Sequence, residues 1–321
     1  MNLQKTARDS ARFLRDHLKD SVVTSFELFK VTIPALIVTK ILAELGVIGS
    51  IAALLGPVMG LMGLPGELGL VWATAILTTP YGGIGVYAAL APSLHITAAD
   101  LTVLASIMLI AHSLPIELSI TRKAGAGMLP MALIRLFGAL GYGVILYHVC
   151  RSLSVWQEEA VTIFRQVEKD QTMTEWVLSQ CVNLSMICVV IFFVLLAMKF
   201  FRAVGLIRLL ENMLTPILPL LGMSRRAAPM TVVGMILGIA YGGALIIRES
   251  AEGGMESREV FNSLALMSLS HGLVEDTLLM MALGAKVGGI LWGRLVFSLL
   301  VIYLLVRVSN LLLPKRETRK P

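Results

Sequence analysis

Charge is scarce in this chain: only 15% of its 321 residues are charged, and aromatic side chains make up 7%. A water-soluble chain of this length needs a larger polar share to cover its core, which excludes an ordinary soluble domain. Cysteine is nearly absent. Cys150, Cys181 and Cys188 cannot all pair internally and form no CxxC spacing, which removes a disulfide scaffold and a zinc ribbon. Cys181 and Cys188 fall on one helix face and read as packing residues. No G-x-x-x-x-G-K-[ST] loop occurs, so nucleotide hydrolysis is excluded. With no HExxH motif and no evident Ser–His–Asp set, the chain is not expected to be an enzyme. An intramembrane metal enzyme built on His271-x-x-x-Glu275 is the remote alternative. No basic cluster is interleaved with aromatics, so the net charge of +6 does not point to nucleic acid. The first 25 residues lack a short apolar run with a cleavage site, so no removable signal peptide is expected.

What the chain has is apolar length. Hydrophobic residues make up 56% and mean hydropathy is +0.82. About 20 apolar residues cross a bilayer as a helix. Leu68–Leu90, Leu101–Leu118, Met128–Val149 and Leu184–Met198 approach or exceed that length. The 28 glycines and 17 methionines suit helices packed closely in lipid. The expected fold is therefore an all-α integral membrane protein. Before the first apolar stretch, Leu3, Ala7, Ala11, Leu14, Leu18 and Val22 recur at helical steps among Lys, Arg and Asp. Residues 1–25 read as an amphipathic helix on the cytoplasmic membrane surface or docked on the protein's own cytoplasmic face.

The sequence matches itself at a shift of 159 residues (271 minus 112). Lys40 falls on Lys199, Gly46 on Gly205, Pro57 on Pro216, Gly63 on Gly222, His112 on His271, Glu117 on Asp276, Gly125 on Gly284 and Arg135 on Arg294. One residue further, Tyr81-Gly82-Gly83 falls on Tyr241-Gly242-Gly243. Apolar coincidences are cheap here, but matched Lys, His and Arg in one register are not. Each half reads as a long helix carrying the Lys, then a short apolar piece with a central Pro (Ile51–Leu64; Leu209–Gly222). A helix interrupted at Tyr-Gly-Gly follows, then a helix ending in His-x-Leu, then a helix with Arg near its start.

The polar stretch 151–179 carries a net charge of −2, and the tail 313–321 carries +3. The positive-inside rule puts both termini in the cytoplasm and the linker outside. Each half then crosses an odd number of times, so the reading is two inverted-topology repeats with about 8–10 spans, broken or re-entrant segments included. The organisation is an N-terminal helix (1–25), repeat one (26–150), an extracytoplasmic linker with an interfacial helix in Val155–Val167 (151–179), repeat two (180–312) and a basic tail (313–321).

The stretch Leu220–Glu259 carries Leu221-Gly222-Met223-Ser224, Gly234, Gly238, Tyr241-Gly242-Gly243-Ala244, Arg248-Glu249 and Gly253-Gly254-Met255-Glu256-Ser257-Arg258-Glu259. The first half has a weaker copy: Leu61–Leu64, Tyr81-Gly82-Gly83, and His95-Ile96-Thr97 opening the next helix. Ala88-Ala89 stands where Arg248-Glu249 would be matched. This pattern resembles the Gate domain, or nucleoside-recognition domain, of nucleoside transporters, ferrous-iron transporters and spore-maturation proteins. The resemblance implies a bacterial inner-membrane protein with a gated pathway and leaves the substrate open. It also tilts the solute weakly towards nucleosides, although the few amides near the apolar stretches (Asn183, Asn212, Asn262) offer little for base edges.

Ionisable residues inside spans are costly and mark function or a buried partner. His112 with Glu117, and His271 with Glu275 and Asp276, are expected to converge near the midplane. His271 and Glu275 are read as sharing a helix face, and Pro115 as bending the helix between His112 and Glu117. Such a set suits proton coupling or a transition metal; the alternative is a His–carboxylate pair that only pins packing. The break at Thr78-Thr79-Pro80-Tyr81-Gly82-Gly83, which combines Pro with two glycines, and the matching Tyr241-Gly242-Gly243 would offer backbone groups to substrate, or be simple kinks. Arg135, Arg294, Lys40 and Lys199 are read as balancing buried carboxylates, snorkelling, or clamping an anionic substrate. Arg248-Glu249 and Glu252 read as exposed pairing at a helix end, with a gating role implied only by the resemblance.

The expected function is a secondary transporter or channel for a small polar solute, nucleoside-like or cationic. No resident cofactor is expected beyond a coupling ion (H+, Na+ or a divalent metal). The bilayer is the partner, with a homodimer or a partner membrane subunit left open. The competing class is a non-transporting subunit of a larger complex.

Overall fold

A computed structural model of the chain describes residues 3–91, 94–161 and 172–312, with side chains from residue 12 onward. The described residues are all-α, with one isolated bridge between Thr97 and Glu159. The first half builds α1 (Leu3–Glu44), α2 (Val47–Gly60), α3 (Leu68–Leu77), α4 (Pro80–Leu90), α5 (Ala98–Ile110), α6 (Leu114–Lys123) and α7 (Met128–Ser152). The second builds α8 (Met173–Ala203), α9 (Leu206–Leu214), α10 (Ala227–Leu237), α11 (Ile239–Ala251), α12 (Ser257–Ser270), α13 (Glu275–Ala282) and α14 (Arg294–Leu312). A 3-10 turn, Leu218–Leu221, follows α9, and a π-helical turn, Gly288–Gly293, leads into α14.

The element order repeats, and so do its turns. Gly46 and Gly205 end the first helix of each half at φ 68° and 78°. Gly63 and Gly222 follow at 68° and 73°, and Gly125 and Gly284 at 98° and 104°. This left-handed conformation is cheap for glycine alone, which explains why these positions match in sequence.

Among the described residues, six helices are long and apolar enough to cross a membrane: Arg12–Glu44, Ala98–Lys123, Met128–Ser152, Met173–Ala203, Ser257–Ala282 and Gly288–Leu311. Two of them, Ala98–Lys123 and Ser257–Ala282, have apolar windows 78% buried, against 39% or less for the rest, and so occupy the centre. Both are interrupted there, between α5 and α6 and between α12 and α13. Across the halves, α12 packs on α5 and α7, α6 on α11, and α1 on α8.

Several expectations need correction. The short piece of half one is Val47–Gly60, starting before Ile51, and its counterpart is split into α9 and the 3-10 turn around Pro216. The discontinuous helices break at Thr78-Thr79, inside the expected run Thr78–Gly83 but ahead of its glycines, and at Gly238, ahead of Tyr241-Gly242-Gly243. Thr79 takes an extended conformation, as the residue before a proline prefers. Its hydroxyl then accepts from Gly82 N at 3.3 Å and caps α4.

The N-terminal residues do not form a separate surface helix but continue into α1. The apolar stripe Leu14, Leu18 and Val22 stays exposed. His17, Ser21 and Ser25 are buried instead, with His17 Nε2 3.1 Å from the Phe192 carbonyl of α8. In lipid, apolar side chains gain nothing by leaving the tails, so the small polar face makes the helix contact. The inter-half connection is shorter than 151–179, because α7 runs to Ser152 and α8 starts at Met173. Residues 155–161 of the expected interfacial helix are not helical; its remainder and the tail 313–321 lie outside the described residues.

Candidate functional site

The two central breaks are built alike. Helix α5 stops at Ile110, two residues before His112, and α12 stops at Ser270, one residue before His271. The residue after each histidine turns left-handed: Ser113 at φ 49° and Gly272 at φ 61°. The next helix then starts in a new direction. Each break is docked by one backbone bond, Ser113 N to the Ala75 carbonyl at 2.9 Å and Leu273 N to the Met235 carbonyl at 3.0 Å. An unpaired backbone group would be expensive there, so these bonds allow the chain to break at membrane depth. Pro115 therefore sits in the first turn of α6, where its missing N–H costs nothing, rather than bending a continuous helix.

Each histidine ring turns back on its own helix end. His112 Nδ1 lies 2.9 Å from the Met108 carbonyl, and His271 Nδ1 lies 2.9 Å from the Met267 carbonyl. A carbonyl only accepts, so each Nδ1 carries the proton and donates it. Both Nε2 atoms are left to face inwards, and they meet at 3.1 Å. Glu117, at the start of α6, brings Oε1 to 3.4 Å from His112 Nε2 and 3.3 Å from His271 Nε2. All three residues are buried, at 4%, 3% and 8% exposure.

Two arginines sit against this cluster and are fully buried. Arg135 Nη1 donates to Glu117 Oε2 in a close ion pair, and its Nε donates to the Ile110 carbonyl at 2.9 Å. Arg294 reaches the neighbouring Leu109 carbonyl at a long 3.4 Å. Its Nε and Nη2 meet no acceptor among the described residues. Both cations thus stand at the C-terminal end of α5, where the helix dipole is negative. Snorkelling is ruled out for both, since neither side chain reaches the surface.

The structure brings together three of the five residues expected at the centre, His112, Glu117 and His271. Glu275 and Asp276 stay outside the triangle. The chain turns at Gly272, so His271 and Glu275 do not share a helix face. Asp276 is half-buried and has no cation within ion-pair distance among the described residues. Tyr81, Gly82 and Gly83 are buried in α4, whereas Tyr241 is 67% exposed. The glycines serve close packing. A side chain at Gly83 would meet Met108 and Ala75, and one at Gly242 would meet the backbone of Gly234, so Gly242 and Gly243 let α11 approach its neighbours.

Lys40 pairs with Glu44 at 2.6 Å and Lys199 with Asp20 at 2.8 Å, both at the periphery of the bundle. Arg248 pairs with Glu252 at 3.2 Å in an exposed contact, and Gly253 then ends α11 at φ 74°. The Glu249 carbonyl accepts from Gly254 N at 2.9 Å in that same turn. Asn262 is buried and donates to the Leu221 carbonyl at 3.1 Å, a structural role. An open cleft of about 530 Å³ between α1 and α8, lined by residues such as Leu18, Phe26 and Phe192, holds no acidic or basic side chain.

What sequence reasoning missed is the left-handed position after each histidine. Its signal was the shared small residue, Ser113 and Gly272, in matching register. The positioning of both rings by backbone carbonyls was also missed; that depends on where each helix ends.

A comparison with known proteins agrees with the membrane class. The chain is 23% identical over 282 residues to the uncharacterized membrane protein YvoD of Bacillus subtilis (strain 168), covering 87% of this chain and 89% of that protein. No protein-family model matches the chain, and no solved structure matches it.

Proposed function

We propose that this protein is an inner-membrane secondary transporter or channel of the Gate type that carries a cation through the His112–Glu117–His271 centre. One observation carries the reading: His112 Nε2, His271 Nε2 and Glu117 Oε1, all buried and drawn from two halves of the chain, converge within 3.4 Å, and the carbonyl contacts of both Nδ1 atoms assign all three as acceptors. With both Nδ1 protons committed to carbonyls, two imidazole lone pairs and a carboxylate oxygen face one another. Such a cluster is repulsive in a low-dielectric interior until a cation enters it. The nearby groups are imidazole, carboxylate and guanidinium, which is the chemistry of ions rather than of base edges.

The architecture supports passage. Paired discontinuous helices around a central ionisable site are how many secondary transporters place their substrates. Corresponding residues His112 and His271 touch, as expected where two repeats meet about a pseudo-twofold axis. In this reading the repeats are inverted in the membrane and both termini are cytoplasmic.

The test is flux. Purified protein in proteoliposomes, assayed with a proton indicator and with divalent-cation indicators, should move a cation that His271→Ala does not move. A well-folded wild type that moves no cation under any imposed gradient would refute the reading.

A further inference from the structure

We infer that the cation bound by His112 Nε2, His271 Nε2 and Glu117 Oε1 is a divalent first-row transition-metal ion. This rests on reading the triangle as the cation site, and it adds the identity of the cation.

The dimensions favour a metal. Edges of 3.1, 3.3 and 3.4 Å make a nearly equilateral triangle. Its centre lies about 1.9 Å from each corner (edge divided by the square root of three), just inside metal–nitrogen and metal–carboxylate distances of about 2.0–2.2 Å. An ion slightly out of the plane would contact all three without any ligand moving.

The donor set is also specific. Two neutral imidazoles and one carboxylate suit zinc, iron, cobalt or manganese, and discriminate against magnesium and calcium, which take oxygen ligands. The outer partners are those that metal ligands use. Each ring donates its other nitrogen to a backbone carbonyl, at 2.9 Å in both cases, which fixes the tautomer and the ring plane. The second oxygen of Glu117 is held by Arg135, which fixes the carboxylate. Three protein ligands leave coordination positions open, as an ion in transit requires.

The arrangement also answers a problem of charge. The centre holds its one carboxylate ligand, Glu117, against the Arg135 guanidinium, which balances its charge. The ligand atoms are then electron-rich without being strongly anionic, so a divalent ion is attracted but remains able to leave.

The experiment is an equilibrium titration of full-length protein in detergent, free of any polyhistidine tag and stripped with a chelator, with Co2+ as the probe. Calorimetry gives stoichiometry, and the visible d–d band reports the ligand set. The expected result is one Co2+ per chain, with His112→Ala, His271→Ala and Glu117→Gln each weakening binding by at least about 100-fold, since losing even an outer partner of a ligand costs about 10–100-fold. His148→Ala, an exposed histidine outside the cluster, should leave binding unchanged. His271→Asn, closer in size, guards against loss through misfolding, with helix content and monodispersity recorded for each variant.

Folded wild type that binds no Co2+ beyond the His112→Ala/His271→Ala double variant overturns the inference. If that same protein carries protons in liposomes, cation transport stands and the metal falls. If it binds one Co2+ through these residues but moves no ion, the metal site stands and the transport reading falls.

Discussion

The two halves share a register and a sequence of elements, yet they contribute unequally to the centre. In the first half, Glu117 faces the triangle and is paired with Arg135. In the second, Asp276 stands aside, and Arg294 has two nitrogens without a partner among the described residues and a long bond to the other half's helix end. The same imbalance appears further out, where α4 is almost wholly buried and Tyr241 of α11 is exposed. Matched residues therefore do not imply matched states. The chemical origin is small: aspartate is one methylene shorter than glutamate, and Gly272 lets its carboxylate fold back where a side chain would otherwise stand. One half supplies a histidine and a carboxylate, and the other a histidine alone. A structure in which Arg294 paired with Asp276 and Arg135 released Glu117 would be the mirror of this one.

The largest effect should separate the two carboxylates. Glu117→Gln leaves the Arg135 guanidinium buried without its counter-charge, and breaking such a pair costs about 3–5 kcal/mol. Asp276→Asn removes a charge with no partner at ion-pair distance among the described residues and should cost under about 1 kcal/mol. Thermal unfolding of both variants in one detergent makes the comparison. Equal losses would mean that Asp276 is as engaged as Glu117 and would erase the distinction between the halves.

A smaller effect tests the two left-handed hinges. Gly272→Ala places a Cβ at φ 61° and against the Asp276 carboxylate, for an expected loss of about 1–2 kcal/mol. Ser113→Gly relieves a non-glycine residue at φ 49° and should be near neutral. The same unfolding assay reads both. A loss at Ser113→Gly as large as at Gly272→Ala would show that the serine side chain, not backbone shape, holds the first hinge.

These contrasts also show how far the sequence alone reaches. The repeat and the pairing of His112 with His271 were legible because histidine, with five copies in the chain, cannot match by accident as leucine can. The membrane class followed from composition. The position of the breaks did not, because glycine carries two meanings in lipid-packed helices. Gly83 and Gly242 looked like breakers but provide close helix contact, while the break in half one is made by Thr79 before Pro80. Nor could spacing place Glu275 and Asp276, since a four-residue step is informative only while the helix continues, and it stops at His271. The N-terminal helix misled for a related reason: its apolar stripe suits a helix lying on the membrane, and its spacing does not show that the helix runs on unbroken into α1.

The smallest effect concerns the surface contact that joins the halves away from the site. The loop after α7 follows the start of α5, with Ala98 N donating to the Glu158 carbonyl at 2.8 Å. Across the halves, Lys286 Nζ meets the Glu158 carboxylate at 2.7 Å, and Lys286 N donates to Thr102 Oγ1 at 3.0 Å. The hydrogen bond from Lys286, with a backbone hydrogen bond, holds the Glu158 carboxyl below its ordinary range. A depressed carboxylate stabilises the fold above its unfolded pKa and loses that contribution as pH falls through the lower folded value. Wild type and Glu158→Gln should therefore differ slightly at neutral pH and converge in acid. The pair is solvent-exposed, so salt should shrink the difference further. A difference that persisted in acid and in high salt would mean that Glu158 acts through its shape and backbone contacts. The halves would then be joined at this end by loop packing rather than by charge.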